Sequence, residues 1–313
     1  MGKNRVVLMG GLGNQLFQYA FATRLNMETK TNVILDPNML AIRRDINGNP
    51  DLEKFQLNSQ VSIAAKMDYP RILRRLMGFS LRKHLDQASN LDKLFCRLLR
   101  IILVSTLSVI YKSPTRVVIC IDNGFVPVTF HSRNTLYLGY FQSYKYGESP
   151  SISEKYGLKP KKIAIKEIEY FVELARLENP LVVHIRLTDY RNEPNFGILS
   201  ADYYKNSISF HFSQNKYGRI WLFSDEPENA IRYIPEQFRH LVRNVSSVMS
   251  DSVDTFEVMR FAKGYVIANS SYSWWAARAS YIPDPLVTYP EPWFDAMPTP
   301  IALFPPNWHP FAR

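Results

Sequence analysis

The feature that most constrains the fold is an alternation of short apolar runs and helix-favouring stretches through the second half of the chain. Leu181 to Arg186, Arg219 to Ser224 and Tyr265 to Asn269 read as strands, while Ala201 to Phe212, Ser252 to Ala262 and Tyr272 to Tyr281 read as helices. Strands separated by helices run parallel, so an α/β, doubly wound sheet is predicted. The amino end shows the same pattern once: strand Arg5 to Met9, glycine turn Gly10 to Gly13, helix Asn14 to Glu28, strand Thr31 to Leu35. At 313 residues the chain is long enough for two such domains. Ser149, Pro150, Ser151, Gly157 and Pro160 interrupt regular structure and set the expected boundary, 1–150 against 151–313. Nearly half of the 20 prolines follow residue 280, which predicts an extended strap instead of a further helix.

Apolar residues at 46 % and charged residues at 21 % fit a packed globular protein and exclude a disordered one. Two cysteines, Cys96 and Cys120, make neither a disulfide framework nor a zinc motif, which favours a reducing compartment. Lys3 and Arg5 precede only Val6 to Met9, shorter than the roughly 7 to 15 apolar residues of a signal sequence, so a cytoplasmic location is expected. The net charge of +10 favours an anionic partner, and residues 66–116 carry most of it, with eleven Lys or Arg against three Asp. In the same stretch Leu91, Leu94, Phe95, Leu98 and Leu99 recur at helical spacing, which predicts a basic amphipathic insert. Such an insert either rests on anionic lipid or packs on its domain with a solvated face.

Ligands of open parallel sheets bind beyond the carboxyl ends of the strands. Three such ends are polar: His184 to Asp189, Ser224 to Glu226, and Asn269 to Ser273. Strand alternation puts Val182, His184 and Arg186 on one face and Val183 and Ile185 on the other. The Arg186 fork matches a phosphate; the bland alternative is an ion pair from Arg186 to Asp189 that pins the loop. His184 is expected as support. Ser271 and Ser273 stand where a helix begins, and helix starts hold anions through their open amides, although plain capping by Ser271 also fits. Trp274 and Trp275 read as core. Asp225 and Glu226 suit recognition of a base or ribose, or simply an exposed turn. Gly11, Gly13, Asn14 and Gln15 follow the first strand and invite comparison with the dinucleotide fingerprint, with Asp36 after the next strand, but Leu16 stands where its third glycine belongs.

Four stretches, GGLGNQLFQYA (Gly10 to Ala20), GYFQ (Gly139 to Gln142), HIRLTD (His184 to Asp189) and NSSYSWWAA (Asn269 to Ala277), together resemble the inverting alpha-1,2-fucosyltransferases that build bacterial surface polysaccharides. Phe223-Ser224-Asp225 is a weaker fifth. That family usually carries two consecutive arginines in its His-x-Arg-Arg-x-Asp motif, whereas Leu187 takes the second place here. The resemblance implies a GT-B-like fold, two Rossmann-like domains facing across a cleft, with the donor GDP-fucose held mainly by the carboxyl-terminal one. It implies no cofactor and no metal, and the chain contains no Asp-x-Asp triplet.

On this reading Arg186 stabilises the departing diphosphate and Asp189 is the nearest motif carboxylate that could take the acceptor proton. His184, Asp225, Ser271, Ser273, Gly11, Gly13, Asn14 and Gln15 serve GDP-fucose, and Gln142 the acceptor. The acceptor is then a beta-galactosyl glycan, lipid-linked, with an anionic membrane surface nearby and no nucleic acid. Two rivals stay open: a nicotinamide oxidoreductase using the amino-terminal glycines, and a basic non-catalytic binder of membrane or nucleic acid built on residues 66–116.

Overall fold

Two parallel sheets, each with its own helices, account for the alternation. The computed structural model describes residues 3–42, 50–65, 73, 75, 77, 90–110, 116–120, 123–125, 127, 129–131, 134–148, 158–161, 165–193, 195–246 and 251–313. The chain divides into one unit of Met1–Gly157 with Pro300–Leu303 and another of Leu158–Thr299 with Phe304–Arg313.

In the first unit β1 (Asn4–Val7), β2 (Val33–Asp36), β3 (Val61–Ile63), β4 (Arg116–Ile119) and β5 (Thr135–Leu138) line up as β3-β2-β1-β5-β4, all parallel. Helix α1 (Leu12–Thr29) links β1 to β2 and stops at Lys30, whose left-handed backbone (φ 54°) lets its N–H donate to the Asn26 carbonyl. Strand order reverses at β1, so the crevice past its carboxyl end is the place where such sheets receive ligands. Helix α2 (Asn90–Ile110) confirms the helical spacing read within 66–116; most of the remainder of that insert lies outside the described residues. Leu103 and Leu107 of α2 are buried with Val7, Leu136 and Leu138 of the sheet and with Met9 just beyond β1.

The second unit holds β6 (Leu181–Ile185), β7 (Ile220–Ser224), β8 (Val242–Asn244), β9 (Gly264–Val266), β10 (Leu286–Glu291) and β11 (His309–Ala312), again all parallel. Their order, β8-β7-β6-β9-β10-β11, is the 3-2-1-4-5-6 sequence of dinucleotide-binding sheets, with its reversal between β6 and β9. Helix α3 (Ile165–Glu178) leads into β6, and α4 (Ala201–Gln214), α5 (Ser252–Met259) and α6 (Ser271–Arg278) connect later strands. Leu181, Val183, Ile185 and Leu187 form one core with Tyr203, Tyr204 and Ile208 of α4, each burial stabilising by roughly 1.5–3 kcal/mol. That leaves His184 on the opposite face, as the alternation predicts.

The expectation of an α/β chain with parallel sheets is borne out, and the differences are instructive. The proline-rich tail is more than a strap: it contributes β10 and β11, and Pro310 is tolerated because β11 is an edge strand. Between those strands Pro300–Leu303 belongs to the first unit, where the Ile301 carbonyl accepts from Phe125 N–H at 2.8 Å and the Ala302 carbonyl from Ser143 Oγ at 2.7 Å. Helix α3 was not expected, because no capping signal announces it.

Candidate functional site at the strand tips

Past the end of β6 the chain turns through Arg186, Leu187 and Thr188, and one carboxylate organises that turn. Asp225, just after β7, accepts the Leu187 N–H at 2.9 Å through Oδ1 and the Thr188 N–H at 3.0 Å through Oδ2. Its Oδ2 also lies 3.3 Å from Arg186 Nε, while Arg186 keeps 36 % of its side-chain surface exposed. Burial opposes the charge on Asp225, but the Leu187 amide, Thr188 and the Arg186 guanidinium outweigh it and hold its pKa below the ordinary value. Arg186 thus forms an ion pair with Asp225 in this loop, a partner that nearness along the chain does not suggest. Asp225 has both oxygens engaged by the loop, so it sets the loop and aims Arg186, whatever else its remaining acceptor sites meet.

A second pair reinforces the same junction. Arg191 donates from both terminal nitrogens to the two oxygens of Glu226, each at 2.6 Å, which engages the other acid suggested for base recognition. Sequence reasoning passed over Arg191; the signal was a second cation five residues after Arg186 facing a second acid after Asp225. Asp189 opens the short turn Asp189–Asn192, and its side chain lies outside the described ones.

Across the strand-order reversal stands the start of α6. Its cap is Ser270, whose Oγ accepts the Tyr272 N–H, so the capping role expected of Ser271 shifts by one residue. Ser271 is half-buried at the first helical position. Ser273 is fully buried and its hydroxyl donates back to the Ser270 carbonyl at 3.2 Å, which makes it part of the helix start instead of a ligand contact. Two contacts tie this tip to that of β6. Tyr190 donates to the Asn269 carbonyl at 2.9 Å, and the His184 ring lies 6.2 Å from that of Tyr272. His184 is buried, consistent with a supporting place under the crevice. Trp274 and Trp275 are core. The second unit thus places Arg186, Asp225 and the α6 start at the carboxyl ends of neighbouring strands.

The first unit's tip is built differently. Gly10 takes φ +71°, and a β-carbon there would collide with the Asn14 side chain, so only glycine fits the turn. Gly11 is exposed at the helix cap and Gly13 is buried in the first turn. Gln15 is fully buried, donating to the Gly10 carbonyl at 3.0 Å and accepting the Leu52 N–H at 3.1 Å. Gln18 likewise accepts the Met9 N–H at 2.9 Å and donates to the Gly139 carbonyl at 3.3 Å. Gln15, expected to meet a ligand, is therefore a brace of the glycine turn; satisfying buried backbone groups outweighs display. Asp36 is buried too, accepting from the Asn38 N–H and side-chain amide, so it is not presented as a ribose ligand.

Asn14 remains at the surface of this turn and accepts from Gln142 Nε2 at 2.9 Å. Gln142 reaches it because Phe141 adopts a left-handed backbone (φ 54°) while its ring stacks on Phe21 at 3.8 Å. A bulky residue in that region is strained and persists only where its neighbours over-determine it. The strained residue aims Gln142 at the end of β1, joining the GYFQ and GGLGNQ stretches in one polar pair.

No family model matches the chain. It is 33% identical over 120 residues to the O-antigen biosynthesis glycosyltransferase WbnK of Escherichia coli, covering 37% of this chain and 39% of that protein. It is 30% identical over 129 residues to an Escherichia coli alpha-1,2-colitosyltransferase, covering 39% and 44%. The matches thus span about two fifths of these curated relatives. Solved structures similar to the chain include POFUT1 in complex with GDP-fucose (TM-score 0.48, 12% identity, 92% of this chain and 98% of that one). Others are the Escherichia coli ADP-heptose lps heptosyltransferase II (0.48, 12%, 99% and 90%) and the fucosyltransferase NodZ from Bradyrhizobium (0.45, 10%, 88% and 92%).

Proposed function

We propose that this chain is an inverting glycosyltransferase that moves fucose from GDP-fucose to the 2-hydroxyl of a terminal galactose in an O-antigen-type glycan. The observation that carries the reading is that Arg186, set by Asp225, and the α6 start stand at adjacent strand ends flanking the strand-order reversal of the second unit. Sequence similarity to two O-antigen-type transferases supports the reaction class, and the alpha-1,2 linkage in the name of one supports the position of attack.

Breaking the donor's C–O bond creates an oxocarbenium-like sugar and leaves negative charge growing on the departing diphosphate. Arg186 and the first-turn amides of α6 stabilise that charge, and one preorganised donor of this kind contributes about 2.7–4 kcal/mol. The gain accelerates transfer because the charge is larger in the transition state than in the bound donor. Guanidinium and amides do this without a metal, so activity is expected to survive a chelator. Attack by the acceptor hydroxyl from the face opposite the diphosphate inverts the anomeric carbon, and the hydroxyl's proton is released to water.

The test is incubation of purified protein with GDP-fucose and a panel of beta-galactosyl glycans, with the product linkage read by NMR. An alpha-1,2-fucosylated galactoside supports the reading. Transfer only from a nucleotide-activated colitose, the sugar named for one relative, replaces the donor; binding of NAD with no turnover of either sugar nucleotide overturns the class.

A further inference from the structure

The two groups assigned to the diphosphate stand on neighbouring strands whose backbone pairing ends before either group is reached. β6 and β9 pair Leu181 with Gly264, Val182 with Tyr265 and Val183 with Val266, and the ladder goes no further. Arg186 and Ser271 both lie past its last rung, so backbone hydrogen bonds do not fix the distance from the guanidinium to the helix start. A side chain supplies that constraint. Tyr190, in the turn Asp189–Asn192, donates its hydroxyl to the Asn269 carbonyl at 2.9 Å, immediately before the Ser270 cap. Arg191, the next residue, grips Glu226 beyond β7 with both terminal nitrogens at 2.6 Å. At three residues per turn, consecutive side chains of such a turn diverge by about 120°, so one short turn reaches the tips on both sides of β6.

Both ends of the Tyr190 bond are themselves held. Its ring packs on Phe196 at 5.2 Å, and Phe196 packs on Phe294 at 5.5 Å. Asn269 is 2% exposed, and its side-chain amide donates to the Phe196 and Gly197 carbonyls at 2.8 and 3.3 Å. A hydrogen bond between two fixed ends transmits position, whereas one between loose ends does not. We infer that Tyr190 is a positioning residue: it sets the spacing between the Arg186 guanidinium and the first-turn amides of α6, and through that spacing the preference of the site for a diphosphate over a monophosphate. The inference rests on the transfer reading above. A diphosphate engages both anchors at once, so its binding depends on the distance between them, while a monophosphate satisfied by one anchor is indifferent to it. One neutral hydrogen bond shifts an equilibrium by no more than its own net strength, which bounds the effect at about tenfold.

The experiment is calorimetric titration of the full chain, Tyr190→Phe and Tyr203→Phe with GDP and with GMP, beside thermal unfolding of each. Tyr190→Phe removes the hydroxyl and keeps the ring that packs on Phe196. Tyr203→Phe is the control: it removes a bond of the same kind, from the Tyr203 hydroxyl to the Ile267 carbonyl at 2.6 Å, but within the core. The parent should bind GDP at least about tenfold more tightly than GMP. Tyr190→Phe should weaken GDP about three- to tenfold and GMP less than about twofold. Tyr203→Phe should lower the melting temperature and leave both nucleotides within about twofold of the parent. Should Tyr203→Phe fail to fold, Tyr217→Phe, which loses the contact with His211 at 3.1 Å in the same core, serves as the control. Equal weakening of GDP and GMP in Tyr190→Phe, no weakening of either, or an equal loss of GDP in the control overturns the inference and leaves the transfer reading standing. A parent that binds neither nucleotide overturns both.

Discussion

The two units repeat one topological device, a parallel sheet whose strand order reverses beside a polar loop, and fill it with different chemistry. In the first unit the tip of β1 is closed by amides: Gln15 and Gln18 each hold two backbone groups, and Asn14 with Gln142 forms the polar pair beside them. In the second the tip of β6 carries charge: Asp225 binds two loop amides and Arg186, and the guanidinium stays partly exposed. Neutral amides suit neutral sugar hydroxyls, whereas a guanidinium beside a helix start suits a diphosphate. The same fold element is thus a scaffold for either job, and the side chains at its tip decide which.

If that division is right, the largest effect belongs to Arg186. Arg186→Lys keeps the charge but loses the planar fork, and kcat for transfer should fall ~100-fold or more with the melting temperature unchanged. Near-parent turnover would dissolve the contrast between the units.

Asp225→Asn should cost less, ~10-fold in kcat/KM, because Arg186 is present but no longer aimed and one loop amide faces a donor. The parent's pH profile carries the same information. The Asp225 carboxyl is depressed in the folded state, so its contribution is complete above the ordinary carboxylate range and is lost as the pH falls through the lowered value. Donor affinity should therefore be flat on the alkaline side of that range and drop only at more acid pH. In Asp225→Asn the acid drop should vanish, and a drop that persists would assign it to another group.

The smallest catalytic effect is expected in the first unit, at Gln18. Gln18→Ala leaves the Met9 N–H and the Gly139 carbonyl unpaired and should lower stability by about 1–3 kcal/mol, read by denaturant unfolding, with GDP affinity unchanged. Weakened GDP binding at full stability would move the nucleotide toward the glycine turn.

Much of this was legible before any coordinates. Periodicity carried β1, α1, β6, α4, β7 and α6, and alternation placed His184 and Arg186 on one face of β6. Arg186 as the cation at a strand tip needed only the rule that parallel sheets bind ligands there. What sequence could not show was which polar groups are consumed by the fold. Gln15, Ser273 and Asp225 carry the same functional groups whether they face a ligand or a backbone amide, and only three-dimensional neighbours tell these apart. The pairing of Arg186 with Asp225 was missed for the same reason: Asp225 is distant along the chain and is brought close by the parallel pairing of β6 with β7. The tail is expected as a strap because its prolines break a helix; they do not stop an extended segment from pairing, and Pro310 sits in an edge strand.

The central claim is that a diphosphate is held at the second unit's strand tips. A crystal structure of the chain with GDP tests it most directly. The account predicts phosphate oxygens within hydrogen-bonding distance of the Arg186 guanidinium and the Ser271 amide; phosphates seated instead on the Gly10 to Gly13 turn, with none on Arg186, would contradict it.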